Sequence, residues 1–256
     1  RLAEQGEVKL AGQIGAIVLK NCTADNQLVY RSAALTIPGF GKNGLFLKEI
    51  QNKNKVYRNA VLTNAAKDLT PANVASWVAA EKKSEPETQA EIIHFLAAQQ
   101  DPAVLSKVIL PALSSANELV KTSAISALAT NQKAKAVPVL LDQLKKAKSA
   151  SEYAEIEAAL LNTTSSKEIE TVSKQLGQAG DAEKVVLIHV LGARRASGIF
   201  GSMVQLCLSS NKDVADASFA ALANVSKPEN TSELIGLLKK TSDKTQIQSL
   251  QKALIA

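Results

Sequence analysis

Val120-Lys121-Thr122-Ser123-Ala124-Ile125-Ser126-Ala127-Leu128 decides the fold of this chain. Its apolar pair Ile125 and Leu128 is spaced i, i+3, which places both side chains on one side of a helix. The same pair recurs in both directions. Its first member is Leu35, Leu62, Ile93, Ile125, Ala158, Ile188, Phe219 and Leu250, with steps of 27, 31, 32, 33, 30, 31 and 31 residues. Its second is Pro38, Ala65, Leu96, Leu128, Leu161, Leu191, Leu222 and Ala253. Self-similarity at this period predicts two-helix units that hide their apolar faces against one another. The reading is therefore all-α: a right-handed α-solenoid (superhelix) of about seven to eight helical hairpins. It forms one array over 1–256, with a capping helix within 1–25 and repeats over 26–255.

Punctuation divides each unit into a helix A and a helix B. The predicted A helices are Lys42–Gln51, Pro71–Lys82, Pro102–Leu113, Ala136–Lys146, Lys167–Gly177, Gly198–Leu208 and Thr231–Lys240. Their B partners run from Asn26–Ile37 to Thr245–Ile255, and a further helix covers Glu4–Lys20. Thr70-Pro71, Asp101-Pro102 and Lys227-Pro228 put proline at a helix start, where a missing N–H costs nothing. Ser84 with Glu87, and Ser149 with Glu152, have capping-box spacing. Pro38, Gly39, Gly41 and Gly44 predict an early break that accounts for the short first step.

Bulk properties agree with stacked helices. The chain is 46% hydrophobic but only 4% aromatic, so its core must be built from Leu, Ile, Val and Ala. Alanine is the best helix former, whereas a sheet would draw on β-branched and aromatic residues. The net charge of +6 is spread evenly along the sequence, unlike the focused patch of a nucleic-acid binder. Cys22 and Cys207 are too few for a disulfide scaffold or a four-cysteine zinc site. No apolar run approaches the roughly 18 residues of a membrane span. The chain starts at Arg1 rather than Met, which reads as a trimmed start from which any export signal would be gone. An exported location, periplasmic or secreted, is set ahead of a cytoplasmic one.

The units resemble HEAT repeats of the short type found in bilin-lyase-like proteins. The residues that carry the likeness are Val29-Tyr30-Arg31-Ser32-Ala33-Ala34-Leu35, Val56-Tyr57-Arg58-Asn59-Ala60-Val61-Leu62 and the 120–128 stretch. Ala136-Val137-Pro138-Val139-Leu140-Leu141-Asp142-Gln143-Leu144 is similar to the family's usual helix A. The basic residue early in helix B is Arg31, Arg58, Lys121 and Lys184, but Gln89, Ala154, Ala215 and Gln246 elsewhere. The C-terminal part, from Ala220-Ala221-Leu222 through Leu234-Ile235-Gly236-Leu237-Leu238 to Leu254, resembles HEAT segments of large exported bacterial proteins. Some of those precede a domain acting on 3-keto-glycosides, and this chain could likewise be joined to further domains.

The candidate functional residues lie one step past the apolar column: Thr63, His94, Ser126, His189 and Gln251, with Thr36, Ala159 and Ala220 in the same row. One helical step turns 100°, so this row should face away from the core on the side lined by B helices. His94 and His189 read as solvated histidines. Arg194 and Arg195 end one B helix and are the candidate contact for an anion. No catalytic, cofactor or metal constellation is visible, so the expected function is a non-enzymatic scaffold or protein-interaction module with a protein partner. Two other readings are an accessory or docking region of an exported carbohydrate-active enzyme and a HEAT-like DNA glycosylase or other nucleic-acid binder. The even charge and the lone Trp77 argue against the last.

Overall fold

The computed structural model describes residues 2–38, 40, 42–99 and 101–255. They form helices joined by short turns, and no strand occurs among them. The helices are α1 (Val8–Asn21), α2 (Leu28–Leu35), α3 (Asn43–Glu49), α4 (Lys55–Ala65), α5 (Pro71–Glu81), α6 (Pro86–Ala97), α7 (Pro102–Val104), α8 (Leu110–Ala112) and α9 (Glu118–Gln132). They continue as α10 (Val137–Leu144), α11 (Ala150–Thr163), α12 (Ile169–Leu176), α13 (Asp181–Ala193), α14 (Phe200–Leu206), α15 (Lys212–Val225), α16 (Thr231–Leu238) and α17 (Lys244–Ile255). None is long and apolar enough to cross a membrane. Where the sequence reading expects one array, the chain divides into two compact units, Arg1–Ala127 and Leu128–Ala256.

In the first unit α2 packs on α1 and α4, and α4 on α6, while α3 with α4 and α5 with α6 form hairpins. Phe46, Ile50, Tyr57, Val61, Trp77, Ile92, Ile93 and Leu96 make its core. Trp77 meets Phe95 at a ring-centroid distance of 4.7 Å, a tilted pair favoured by the ring quadrupoles. The second unit repeats the scheme. α13 packs on α11 and α15, and α15 on α17, with α10, α12, α14 and α16 each paired to the helix that follows. Ile156, Leu160, Ile188, Leu191, Leu222 and Leu250 are its buried apolar column.

The predicted columns are buried at Leu35, Ile93, Ile125, Ile188, Phe219 and Leu250, and at Ala65, Leu96, Leu128, Leu191, Leu222 and Ala253. Four positions depart. Pro38 and Ala158 are exposed, and Leu62 and Leu161 are half-buried. In α11 the buried residues are Ile156, Ala159 and Leu160, so its register runs one residue earlier than the sequence reading has it. Glu157 thereby takes the place one period before Ile188, and Ala158, not Ala159, joins the exposed row.

The expected helix Pro102–Leu113 is interrupted by a π turn at Leu105–Ile109. Pro111 follows it; proline offers no N–H to the carbonyl four residues back, and its ring crowds that carbonyl. Widening the turn relieves both demands. Ser149 does cap α11, accepting from the Glu152 N–H at 3.1 Å, while Glu152 accepts from the Lys148 N–H at 3.2 Å. Ser84 does not cap α6: Pro86 sets the first turn and the Ser84 hydroxyl instead donates to the Ala80 carbonyl. Gly39 and Gly41, part of the expected break, lie outside the described residues, as does Arg1.

Candidate functional site

The surface with most chemistry lies in the second unit, on α11, α13 and α15. The short side chains Ala182, Ala217, Ala220 and Ala221 let these helices approach closely. Gly192 lies in the last turn of α13, where an added Cβ would stand 3.1 Å from that of Ala221. Close approach leaves a shallow trough above the alanines. One depression of about 290 Å³ is lined by Leu161, Ile188 and Asn224. An adjoining one of about 660 Å³ is lined by Tyr153, Asp213 and Asp216. Glu157, His189, Ala217 and Ala220 border both.

His189 and Glu157 stand at the junction. The His189 Nδ1 lies 3.0 and 3.1 Å from the two Glu157 carboxylate oxygens. An Nδ1–H donated to that carboxylate fixes the ring and leaves Nε2 for a ligand, as acceptor when the ring is neutral and donor when charged. The sequence reading left His189 solvated and did not place Glu157 among the candidate residues. The missing signal is the 32-residue separation, one period, which puts the two side chains on neighbouring B helices.

Two further polar bridges each span 30 residues, again about one period. Gln246 Nε2 donates to Asp216 at 2.9 Å, and Asn211 Nδ2 to Asp181 at 3.1 Å. The Gln246 hydrogen bond, then the one from Lys212 Nζ at 2.6 Å, hold the Asp216 carboxyl below its ordinary pKa, so the trough keeps an anionic edge. Lys212 is held above its ordinary value by the Asp216 hydrogen bond.

The other predicted residues are distributed. Thr63 and His94 are exposed on α4 and α6 of the first unit, and Ser126 is half-buried on α9. The Thr63 hydroxyl donates to the Asn59 carbonyl at 2.8 Å. Gln251 is exposed on α17. These residues do not converge on one spot, and only His189 joins the trough. Arg194 and Arg195 are exposed and make no ion pair among the described residues. Arg195 adopts φ +50°, and its N–H bonds the Gly192 carbonyl while that of Ala196 bonds the Leu191 carbonyl. This is the Schellman closure of α13, made with arginine where glycine is usual.

The basic residues that interrupt helix B in the resemblance are structural in the first unit. Arg31 is ion-paired to Glu49, donates to the Leu19 carbonyl and lies 5.5 Å from the Tyr57 ring. Tyr57 donates its hydroxyl to Glu49 at 2.6 Å, and burial raises its pKa. Arg58 donates to both oxygens of Glu91 at 2.6 and 2.9 Å and to the Asn52 and Lys53 carbonyls at 3.0 and 2.8 Å. Each arginine thus binds carbonyls in or just past the last turn of the preceding helix while meeting a carboxylate. In the next repeat Gln89 stands in its place and donates to buried Glu81 at 2.6 Å. Desolvation raises the Glu81 pKa against that hydrogen bond.

Tyr57 and Trp77 are both 1% exposed, so neither is placed to stack on a sugar. Burial pushes the Cys207 thiol up to about 12, so it stays protonated and unreactive. Among the described residues no three His, Cys, Asp or Glu side chains gather in a way that could hold a metal ion. No protein-family model matches the chain, and no curated protein matches it either.

Proposed function

We propose that the chain is a HEAT-like, right-handed α-solenoid that acts as a protein-interaction scaffold, with the trough over α11, α13 and α15 as its binding surface. The observation that carries this reading is the polar row one period apart, Glu157–His189 and Asp216–Gln246, bordering a small-residue floor. Stacked B helices give such arrays an extended face, and a partner helix or strand can lie across several repeats. The alanine floor admits close approach of a backbone. The anionic edge and the fixed His189 ring supply a few oriented polar contacts, as a recognition site requires.

A photocrosslinking residue in place of Ala220, in the trough, tests the proposal against one in place of Lys240, on an A-helix end. The scaffold reading expects one discrete protein adduct from position 220 in an extract of the source cells, lost on Glu157→Lys and absent from position 240. Equal adducts from both positions, or an adduct indifferent to Glu157→Lys, overturn it. Small-angle scattering of the same chain should give the elongated profile of a solenoid, and a spherical profile refutes the array.

A further inference from the structure

Arg31 occupies the space between α1 and α3, donating to the Leu19 carbonyl and ion-paired to Glu49. Lys184 takes the same place in its own repeat, early in α13 and between the A helices α12 and α14. There the space is open. α12 packs on α10 but not closely on α14, and a cleft of about 590 Å³ lies between them. Two differences in sequence leave it so. Lysine presents a compact ammonium where arginine presents a broad fork, and the carboxylate is gone. Counting forward from Lys184 as Glu49 is counted from Arg31 leads to Ser202. Counting back from Ala215 as Glu49 is counted from Arg58 leads to Leu206. Both line the cleft, and neither carries a charge.

The ammonium that remains is poorly matched. The Lys184 side chain is only 25% exposed, and among the described residues it meets a single carboxylate, that of Asp181, at 3.8 Å. This is beyond hydrogen-bond distance, and Asp181 already accepts from Asn211 at 3.1 Å. Glu170 also borders the cleft, but Lys174 holds it at 2.7 Å where both are largely exposed. Ser202 and Gln205 line the cleft with side chains that hydrogen-bond to no other described residue. Leu176, Ile199 and Leu206 give it an apolar wall, and Gly177 and Gly198 leave open space where a side chain would stand.

We propose that this cleft binds a small organic carboxylate with an apolar body. The ligand's carboxylate faces the Lys184 ammonium, as Glu49 faces Arg31, with the Ser202 hydroxyl and the Gln205 amide as further donors. Its body lies against Leu176, Ile199 and Leu206. An apolar wall with a few convergent polar groups, at this volume, is the make-up of a small-molecule site. The charge-assisted hydrogen bond to Lys184 supplies the preference for an anion. The cleft shares no lining residue with the trough.

Titration of the full chain with octanoate, followed through backbone amide NMR shifts, is the test. Saturable shifts are expected at Gly177, Gly198 and Ser202, with a Kd in the micromolar to millimolar range. Lys184→Met, which keeps the apolar stem, should raise that Kd roughly tenfold or more, the effect of losing a charged hydrogen bond. Ser202→Glu should abolish binding by supplying the carboxylate from within, and should raise the unfolding midpoint. Lys212→Met, outside the cleft, should leave the Kd as it is. Absence of saturable shifts up to ~10 mM octanoate overturns the proposal. So does a Kd indifferent to Lys184→Met, or unchanged binding by Ser202→Glu. Equal binding of octanamide would make the cleft an apolar pocket without charge recognition, and equal binding of inorganic phosphate an unselective anion site; either result also overturns it.

Discussion

Replacing Arg58 by Ala withdraws one side chain from five acceptors: two oxygens of Glu91, one of Glu87, and the carbonyls of Asn52 and Lys53. Exposure decides how much that matters. Glu87 is 71% exposed, and a pair of that kind contributes only ~0–1 kcal/mol. Arg58 and Glu91 are 3% and 13% exposed, so the variant leaves a carboxylate in a largely dry site. Breaking a buried pair from one side costs about 3–5 kcal/mol, and the orphaned carbonyls set the expectation at the upper end. Arg58→Lys keeps the charge but cannot form the two-pronged contact, and should cost about 1–3 kcal/mol. Replacing both partners, Arg58→Met with Glu91→Leu, should recover most of the loss because no charge is then stranded. Since the chain forms two compact units, native-state hydrogen exchange of α4 and α6 peptides is the suitable assay. A loss below about 1 kcal/mol for Arg58→Ala would show that the cluster behaves like a solvated surface pair, and the argument from burial would fail.

Leu160→Ala should cost ~2–5 kcal/mol, as a fully buried leucine does, while half-buried Leu161→Ala costs clearly less. Thermal melts in the reverse order would return α11 to the register read from sequence. Gly15→Ala should destabilise by ~1–3 kcal/mol through collision with Phe40, despite alanine's better helix propensity. A raised melting temperature would show that the ring moves aside freely. Burial raises the Glu81 pKa above its ordinary value of 4.5, so its protonated form favours the folded state. Its contribution is full below about that pH and is lost as pH rises through the higher folded value. Glu81→Gln should therefore flatten the decline in urea midpoint on going from acid to neutral pH and stabilise the chain at neutral pH; an unchanged slope contradicts this.

How far the sequence could be read follows from what each position does. The period was legible because apolar residues such as Ile93, Ile188 and Phe219 must be buried and have no other use. It slipped where a polar residue took an apolar place. Glu157 stands one period before Ile188, and a search for apolar anchors moves on to Ala158 and Leu161. The same slip hid the Glu157–His189 contact, the centre of the candidate site. The arginines at 31 and 58 were visible as a pattern, but their acceptors are backbone carbonyls and distant carboxylates, which no local spacing reports. The π turn before Pro111 was a missed local signal: the proline was on view inside a predicted helix.

The polar bridges, each joining residues about one period apart, bear on how such a chain can change length. Glu157 with His189, Asp181 with Asn211, and Asp216 with Gln246 each tie a B helix or its cap to the next. Duplicating or excising one whole period keeps the following helices in the same orientation, although excision would set Glu157 against Ala220 in place of His189. Removing half a period strands a carboxylate and turns the following helices to present the wrong side. Change in this region is therefore quantised: growth and loss proceed by whole hairpins, and intermediate lengths are selected against by unpaired charge as much as by lost packing.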